Sequence, residues 1–172
     1  MVCSGINEPT RSEFGEYVRS KGHGDLESYL DSLLDIKTVV PRYNGPRLEP
    51  GSDIWGVKRK PMQYGIGSYD EIDYYPLADA ESMDQLVQHP WPSADWYDYT
   101  VLPERIAAAH AGGQRCIMVS NGNIFETSWY MRGFEQMFMD LAINPELADG
   151  IMGRVTDFHV EYFVSVRRTH VA

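Results

Sequence analysis

Two short apolar segments constrain the fold of this chain more than any other feature. Residues 36–40 form a β-branched run between Asp35 and Pro41, and residues 115–120 contain the nearly continuous apolar sequence CIMV. Strands that are apolar on both faces are typical of parallel sheets covered by helices on both sides. We therefore predict two core strands at these positions, with residues 2–6 as the remnant of a third.

Helical periodicity accounts for much of the remaining sequence. Thr10 and Glu13 form a capping-box pattern, Asp25 can cap a second helix, and Asn144-Pro145 precedes a long apolar stripe. The predicted helices run from Thr10 to the Gly22 region, from Asp25 to about 34, and over 82–89, 100–110, about 124–143 and from 145 onward. Strands that alternate with helices indicate an α/β fold with a parallel sheet.

Residues 41–76 differ in amino-acid composition from the rest of the chain. Prolines and glycines are frequent there, and aromatic residues are spread among polar ones. We interpret this segment as a long excursion that contains two hairpin strands, roughly 55–63 and 65–74. Its aromatic residues either face a substrate or pack the excursion onto its own domain, and the second reading is favoured.

Composition excludes several classes of function. The 172 residues suit one domain, and a formal net charge of -10 disfavours nucleic acid and anionic membrane surfaces as partners. No apolar run approaches the ~20 residues of a spanning helix, and the first residues lack a signal-peptide pattern, so we expect a cytoplasmic protein. Cys3, Cys116 and the five histidines have no ligand spacing, so we expect no metal or other cofactor within this chain.

Several segments, in order, resemble a bacterial branch of the uroporphyrinogen decarboxylase superfamily. They are DIKTVVPRY at 35–43, GP at 45–46, DIWGV at 53–57, YPL at 75–77, PWP at 90–92 and the stretch from NGNIFETSWYMRGF to VEYF at 121–163. The resemblance covers nearly the whole chain. It implies a partial (β/α)8 TIM barrel, with residues 1–172 as the incomplete N-terminal portion of a single barrel domain.

The resemblance also implies where substrate binds. Active sites of such barrels lie at the carboxyl ends of the strands, so residues that follow the two strands are candidates. The candidate substrate-binding residues are Arg42, Tyr43, Asn121, Glu126 and Tyr130. Tyr130 is either a substrate contact or a core tyrosine whose hydroxyl is satisfied within the protein.

Two features of the resembled decarboxylases are missing. Their arginine-rich segment after the first strand has no counterpart here, and Arg42 or Tyr43 stands where their catalytic aspartate is expected. Asp35 precedes its strand and is therefore predicted to be a strand-entry residue. The catalytic residues themselves stay unassigned.

The resemblance implies three alternative functions. The first is cofactor-free decarboxylation of a porphyrinogen-type polycarboxylate, with Arg42 and Arg132 as its candidate cationic groups. The second is zinc-dependent methyl transfer between a corrinoid and a thiol, with zinc ligands in a C-terminal half that this sequence does not contain. The third is an inactive fragment that needs that half. The expected partners are a small-molecule substrate, tetrapyrrole or corrinoid, and a second copy in a full-length homodimer.

Overall fold

A computed structural model describes residue 6 and residues 8–119 and 122–170 of the chain. These residues form a mixed α/β structure with three separate two-stranded sheets and no closed barrel. The helices are α1 Glu8–Ser20, α2 Leu26–Leu33, α3 Met83–Gln88, α4 Leu102–His110, α5 Ile124–Arg132, α6 Phe134–Ile143 and α7 Pro145–His170. The strands are β1 Ile36–Thr38, β2 Arg42–Tyr43, β3 Lys58–Tyr64, β4 Gly67–Tyr74, β5 Tyr97–Asp98 and β6 Cys116–Met118.

The two predicted core strands, β1 and β6, lie side by side and are parallel. Ile36 pairs with Cys116 and Thr38 with Met118, and the N–H of Val39 donates to the carbonyl of Met118 at 2.9 Å. This confirms the predicted parallel pair. The expectation that both faces are covered is wrong for β6, because Cys116 and Met118 are exposed and only Ile117 is half-buried.

The excursion contains the predicted hairpin, formed by β3 and β4. It also contributes β2, which pairs with β5 in an antiparallel ribbon that the sequence pattern did not predict. A two-residue strand has too little alternation to be recognised from periodicity. The predicted strand remnant at 2–6 lies outside the described residues apart from Ile6, which is in no regular element.

Local capping explains where α2 and α3 begin. Asp25 caps α2 as predicted, since its Oδ1 accepts from the N–H of Ser28 at 2.9 Å. Ser82 and Gln85 form a capping box at the start of α3. The predicted start of α1 at Thr10 is wrong, because the helix already includes Glu8 and Pro9, residue types that suit a first turn.

The single helix predicted over about 124–143 is in fact two helices. Gly133 separates α5 from α6 with a φ of 94°, a backbone conformation that glycine adopts without steric cost. Both helices still pack on α7. The apolar spacing therefore identified helical residues but not the turn between them.

The last helix, α7, is the central packing element. Its 26 residues span about 39 Å at 1.5 Å per residue. One stripe of the helix is buried and contains Leu147, Ile151, Val155, Phe158 and Tyr162, as predicted, together with Val166. This stripe joins Trp55 and Val57 of the excursion, Leu86 of α3 and Leu102 of α4 in one core.

Candidate functional site

A cleft lies beside the carboxyl ends of β1 and β6. Val40 and Pro41 follow β1 and Val119 follows β6, and the three residues border a space of about 390 Å³. We call this space the aromatic cleft. It is lined by Val40, Pro41, Tyr43, Ile54, Trp55, Tyr97, Val119, Phe158, His159 and Tyr162.

Edge-to-face ring contacts hold the walls of the aromatic cleft. The ring centroids of Tyr97 and Tyr162 are 5.3 Å apart, those of Tyr43 and Tyr97 are 5.5 Å apart, and those of Trp55 and Phe158 are 5.0 Å apart. Such pairs contribute beyond the area they bury. Segments far apart in sequence thus meet as one aromatic surface.

Tyr97 and Tyr162 of the cleft remain protonated at neutral pH. Burial raises the pKa of Tyr162 to about 12, and burial is also the main reason that the pKa of Tyr97 is raised. The hydroxyl of Tyr43 donates to the carbonyl of Pro46 at 2.8 Å. These side chains therefore offer flat ring surfaces rather than charge.

Arg42 is not on the wall that Tyr43 forms. Arg42 pairs with Asp98 and Tyr43 with Tyr97 in the β2–β5 ribbon, and successive side chains of a strand point to opposite faces. The Arg42 side chain is 59% exposed, and its Nη1 lies 3.8 Å from Oδ2 of Asp98. The pKa of Asp98 is lowered mainly by hydrogen bonds from Thr100, with a smaller contribution from Arg42.

His159 is the one histidine in the cleft lining. Both of its ring nitrogens are buried and have no hydrogen-bond partner among the described residues. Its ring lies among those of Trp55, Phe158 and Phe163, at centroid distances of 6.1, 5.4 and 6.0 Å. Burial lowers the pKa of His159, so the imidazole is neutral at pH 7.

Gly122 approaches α7 closely. A Cβ on Gly122 would lie 3.2 Å from Cε2 of Phe163, and Gly122 has a φ of 59°. A side chain at this position would push the loop away from the helix that carries His159.

A second group of polar residues surrounds Tyr130, and we call it the Tyr130 cluster: Asp53, Arg59, Asn123, Glu126 and Tyr130. The Tyr130 hydroxyl donates to Oε1 of Glu126 at 2.7 Å, and Asn123 Nδ2 donates to Oε2 of Glu126. The Arg59 guanidinium lies 5.0 Å from the centre of the Tyr130 ring. Burial and the Glu126 carboxylate together raise the pKa of Tyr130.

The Tyr130 cluster joins the excursion to α5. Arg59 Nη1 is 2.8 Å from Oδ2 of Asp53, and Oδ1 of Asp53 accepts from the N–H groups of Trp55 and Val57 at 2.9 and 3.1 Å. The cluster thereby fixes the backbone that presents Trp55 to the aromatic cleft. Tyr130 has its hydroxyl satisfied within the protein, as the second reading of this residue expects.

The structure brings together some of the predicted site residues but not all. Glu126 and Tyr130 share a hydrogen bond, Tyr43 lines the aromatic cleft, and Arg42 faces away from that wall. Asn121 lies outside the described residues. Asp35 lies at the amino end of β1, opposite the end beside the cleft.

Sequence reasoning missed most of the cleft lining. His159 stands next to Phe158 in the apolar stripe of α7, and a polar residue beside such a stripe is the signal that could have identified it. Trp55 lies within the DIWGV segment, but the favoured reading of the aromatic residues there is that they pack the excursion onto its own domain. Tyr97 carries no local signal, and the periodicity that places Tyr162 in the stripe of α7 does not show that the two rings meet.

Arg132 is not available to a ligand. Its side chain is 5% exposed and forms a 2.6 Å ion pair between Nε and Oδ2 of Asp140. Its Nη1 donates to the carbonyls of Leu77 and Ala78. We predicted that Arg132 is a cationic group that binds substrate. In the structure its guanidinium instead binds Asp140 and two backbone carbonyls of the protein.

In the described part of the chain, no three His, Cys, Asp or Glu side chains are grouped so as to hold a metal ion. No helix formed by these residues is long and apolar enough to cross a membrane. Comparisons with protein-family models, curated proteins and solved structures found no match to this chain.

Proposed function

We propose that this chain is part of a (β/α)8 barrel enzyme of the uroporphyrinogen decarboxylase superfamily, and that it binds a porphyrinogen-type substrate for cofactor-free decarboxylation. The observation that carries the proposal is the aromatic cleft at the carboxyl ends of two parallel strands. Enzymes with parallel barrels place their active sites at this end of the strands. The family itself rests on the sequence resemblance.

The size of the cleft supports a substrate that enters one ring at a time. Its volume of about 390 Å³ is near the lower end of the ~300–1,000 Å³ typical of ligand pockets. One substituted pyrrole ring suits this space better than a whole tetrapyrrole. Tyr43, Tyr97 and Trp55 would stack on that ring, which orients it and excludes water.

The chemistry requires a proton at a ring carbon of the substrate. Protonation turns the pyrrole into an electron sink, the bond from the acetate methylene to its carboxylate breaks, and carbon dioxide leaves. A second proton then completes the methyl group and the first returns from the ring to the enzyme or to water. The remaining carboxylates stay outside the cleft, because the ten lining residues that the structure describes include no lysine or arginine.

An activity assay tests this proposal. The intact natural protein is incubated anaerobically with uroporphyrinogen, and the products are oxidised and separated by chromatography. We expect porphyrins with fewer carboxylates to accumulate in proportion to enzyme and time. An absence of product, while a known decarboxylase is active in the same mixture, contradicts the proposal.

Methyl transfer within the same superfamily is the second candidate. The observation that favours it is that the described residues of the cleft lining include no cationic group, since a polycarboxylate needs such groups and a methyl donor does not. The described residues do not supply the zinc ligands that this chemistry uses. The intact protein supplied with Zn²⁺, methylcobalamin and a thiol would then demethylate the corrinoid, which its absorption spectrum reports, and a chelator would stop the reaction.

A further inference from the structure

A group of exposed aromatic rings extends across α5 and α6. The ring centroids of Phe125 and Phe138 are 5.6 Å apart, those of Phe134 and Phe138 are 4.8 Å apart, and those of Trp129 and Phe134 are 5.4 Å apart. Phe125, Phe134 and Phe138 are 38%, 54% and 49% exposed. The four rings therefore form one continuous surface, which we call the α5–α6 patch.

The sequence of α6 explains why this helix carries rings on its outer side. Phe134, Phe138 and Leu141 follow one another at steps of four and three residues, so they lie along one face of the helix. The buried residues of α6 are instead Met137 and Asp140. The helix is thus anchored by residues outside its apolar stripe, and the stripe stays exposed.

The exposed side of α6 is poor in charge, although the chain has a formal net charge of -10. The charged residues of this helix are Glu135 and Asp140, and Asp140 is buried in its ion pair with Arg132. Cores of protein–protein interfaces are likewise depleted of charged residues and enriched in aromatic ones. Two acidic copies of the protein can therefore approach each other here with little local repulsion, since more distant charges are screened by salt.

The exposed apolar area is close to what a homodimer interface needs. Met139, Leu141 and Ile143 are also exposed on α6, by 53%, 41% and 72%. With about 200 Å² for each large side chain, the three phenylalanines and these three residues present roughly 500 Å² of apolar surface. A standard interface buries about 800 Å² per partner, of which about 65% is apolar in homodimers. Monomeric proteins rarely expose a contiguous apolar patch of more than a few hundred Å².

We propose that the α5–α6 patch is the surface through which two copies of this protein associate. Homodimers are most often two-fold symmetric, so the same patch meets itself. An antiparallel arrangement of the two α6 helices places Phe138, the middle residue of the stripe, next to Phe138 of the second copy. Phe134 then packs against Leu141 of the second copy. The inference does not depend on the proposed function, because the described lining of the aromatic cleft includes none of these side chains.

The association state of the intact protein tests this proposal. Sedimentation velocity over a range of concentrations gives the dissociation constant of the dimer. In Phe138→Glu two carboxylates would meet near the symmetry axis, so we expect dimerisation at least a hundredfold weaker than in the parent protein. Leu33→Glu is the matched control, because it places the same charge at a leucine of α2 that is 60% exposed. That variant should dimerise as the parent protein does.

A mixing experiment tests the symmetry of the interface. Phe138→Lys also places like charges near the axis, so each of the two Phe138 variants should be monomeric where the parent protein is dimeric. In an equimolar mixture opposite charges face each other across the axis, and the dimer should reappear in the sedimentation profile.

Hydrogen exchange of the unsubstituted protein keeps the test decisive if the Phe138 variants do not fold. Amides of α5 and α6 should exchange more slowly at concentrations where the dimer forms than in dilute solution. A parent protein that stays monomeric at every concentration would overturn the inference and indicate that another part of the natural protein covers the patch. A dimer that persists in Phe138→Glu, or a mixture that stays monomeric, would also overturn it.

Discussion

At the scale of single residues, Arg132 and Asp140 form the most deeply buried ion pair of the described chain. Their side chains are 5% and 2% exposed, and Gln136 also donates to Asp140 at 3.0 Å. The pair connects α5 and α6 to the segment that follows the hairpin. Removing one partner of a buried pair leaves an uncompensated charge, which costs more than the pair itself contributes.

We predict that Arg132→Met lowers the free energy of unfolding by about 3–5 kcal/mol, because Asp140 is then buried without its partner. Urea unfolding at neutral pH measures this change. The control is Lys60→Met, which removes an exposed ion pair with Asp73 and should cost at most about 1 kcal/mol. Similar losses in both variants would contradict the role assigned to Arg132.

His159 makes stability depend on pH. Its pKa in the folded chain is lowered from an ordinary value of 6.5, so the unfolded chain binds a proton more readily. The contribution of the neutral His159 ring to the free energy of unfolding is therefore fully present above pH 6.5, and it is lost as the pH falls below that value. Urea unfolding at pH 7.5 and 5.5 should show a smaller loss in His159→Phe than in the parent chain. An identical loss in His159→Phe and in the parent chain would refute this assignment.

At the scale of elements, Gly133 determines where α5 ends and α6 begins. Its φ of 94° is energetically costly for any residue with a Cβ. A Cβ at this position would not clash with its neighbours, because it would lie 4.0 Å from the Tyr75 ring. We predict that Gly133→Ala lowers the free energy of unfolding by about 1–2 kcal/mol.

The matched control is Gly153→Ala within α7. Nothing lies within 4 Å of a Cβ at Gly153, and alanine favours a helix interior over glycine by about 1 kcal/mol. The same substitution should therefore stabilise at one position and destabilise at the other. If thermal unfolding showed the same sign for both, the backbone explanation of the α5–α6 turn would be wrong.

Elements with many residues in a regular pattern could be predicted from the sequence. The buried stripe of α7, the Asp25 cap and the β3–β4 hairpin all have local signals, and the structure confirms them. The Gly133 turn was missed because apolar spacing continues across it. The β2–β5 ribbon was missed because its pairing joins residues more than 50 positions apart.

At the scale of the whole molecule, α7 and the parallel strand pair together create the aromatic cleft. The strands supply one edge through Val40 and Val119, and α7 supplies Phe158, His159 and Tyr162. The edge could be predicted, because parallel strands place their carboxyl ends together. The opposite wall could not, since it depends on how a 26-residue helix packs across segments distant in sequence.

Two neighbouring tryptophan substitutions in the intact protein test the proposal that the aromatic cleft is the ligand site. Val119→Trp would fill the cleft, whereas Met118→Trp adds the same side chain where Met118 is 40% exposed and outside the cleft lining. The measurement is the dissociation constant of uroporphyrin, followed by its fluorescence. We predict at least tenfold weaker binding for Val119→Trp and unchanged binding for Met118→Trp. Equal affinity in the two variants, or no binding by the parent protein, would contradict the proposal that ligand binds in the aromatic cleft.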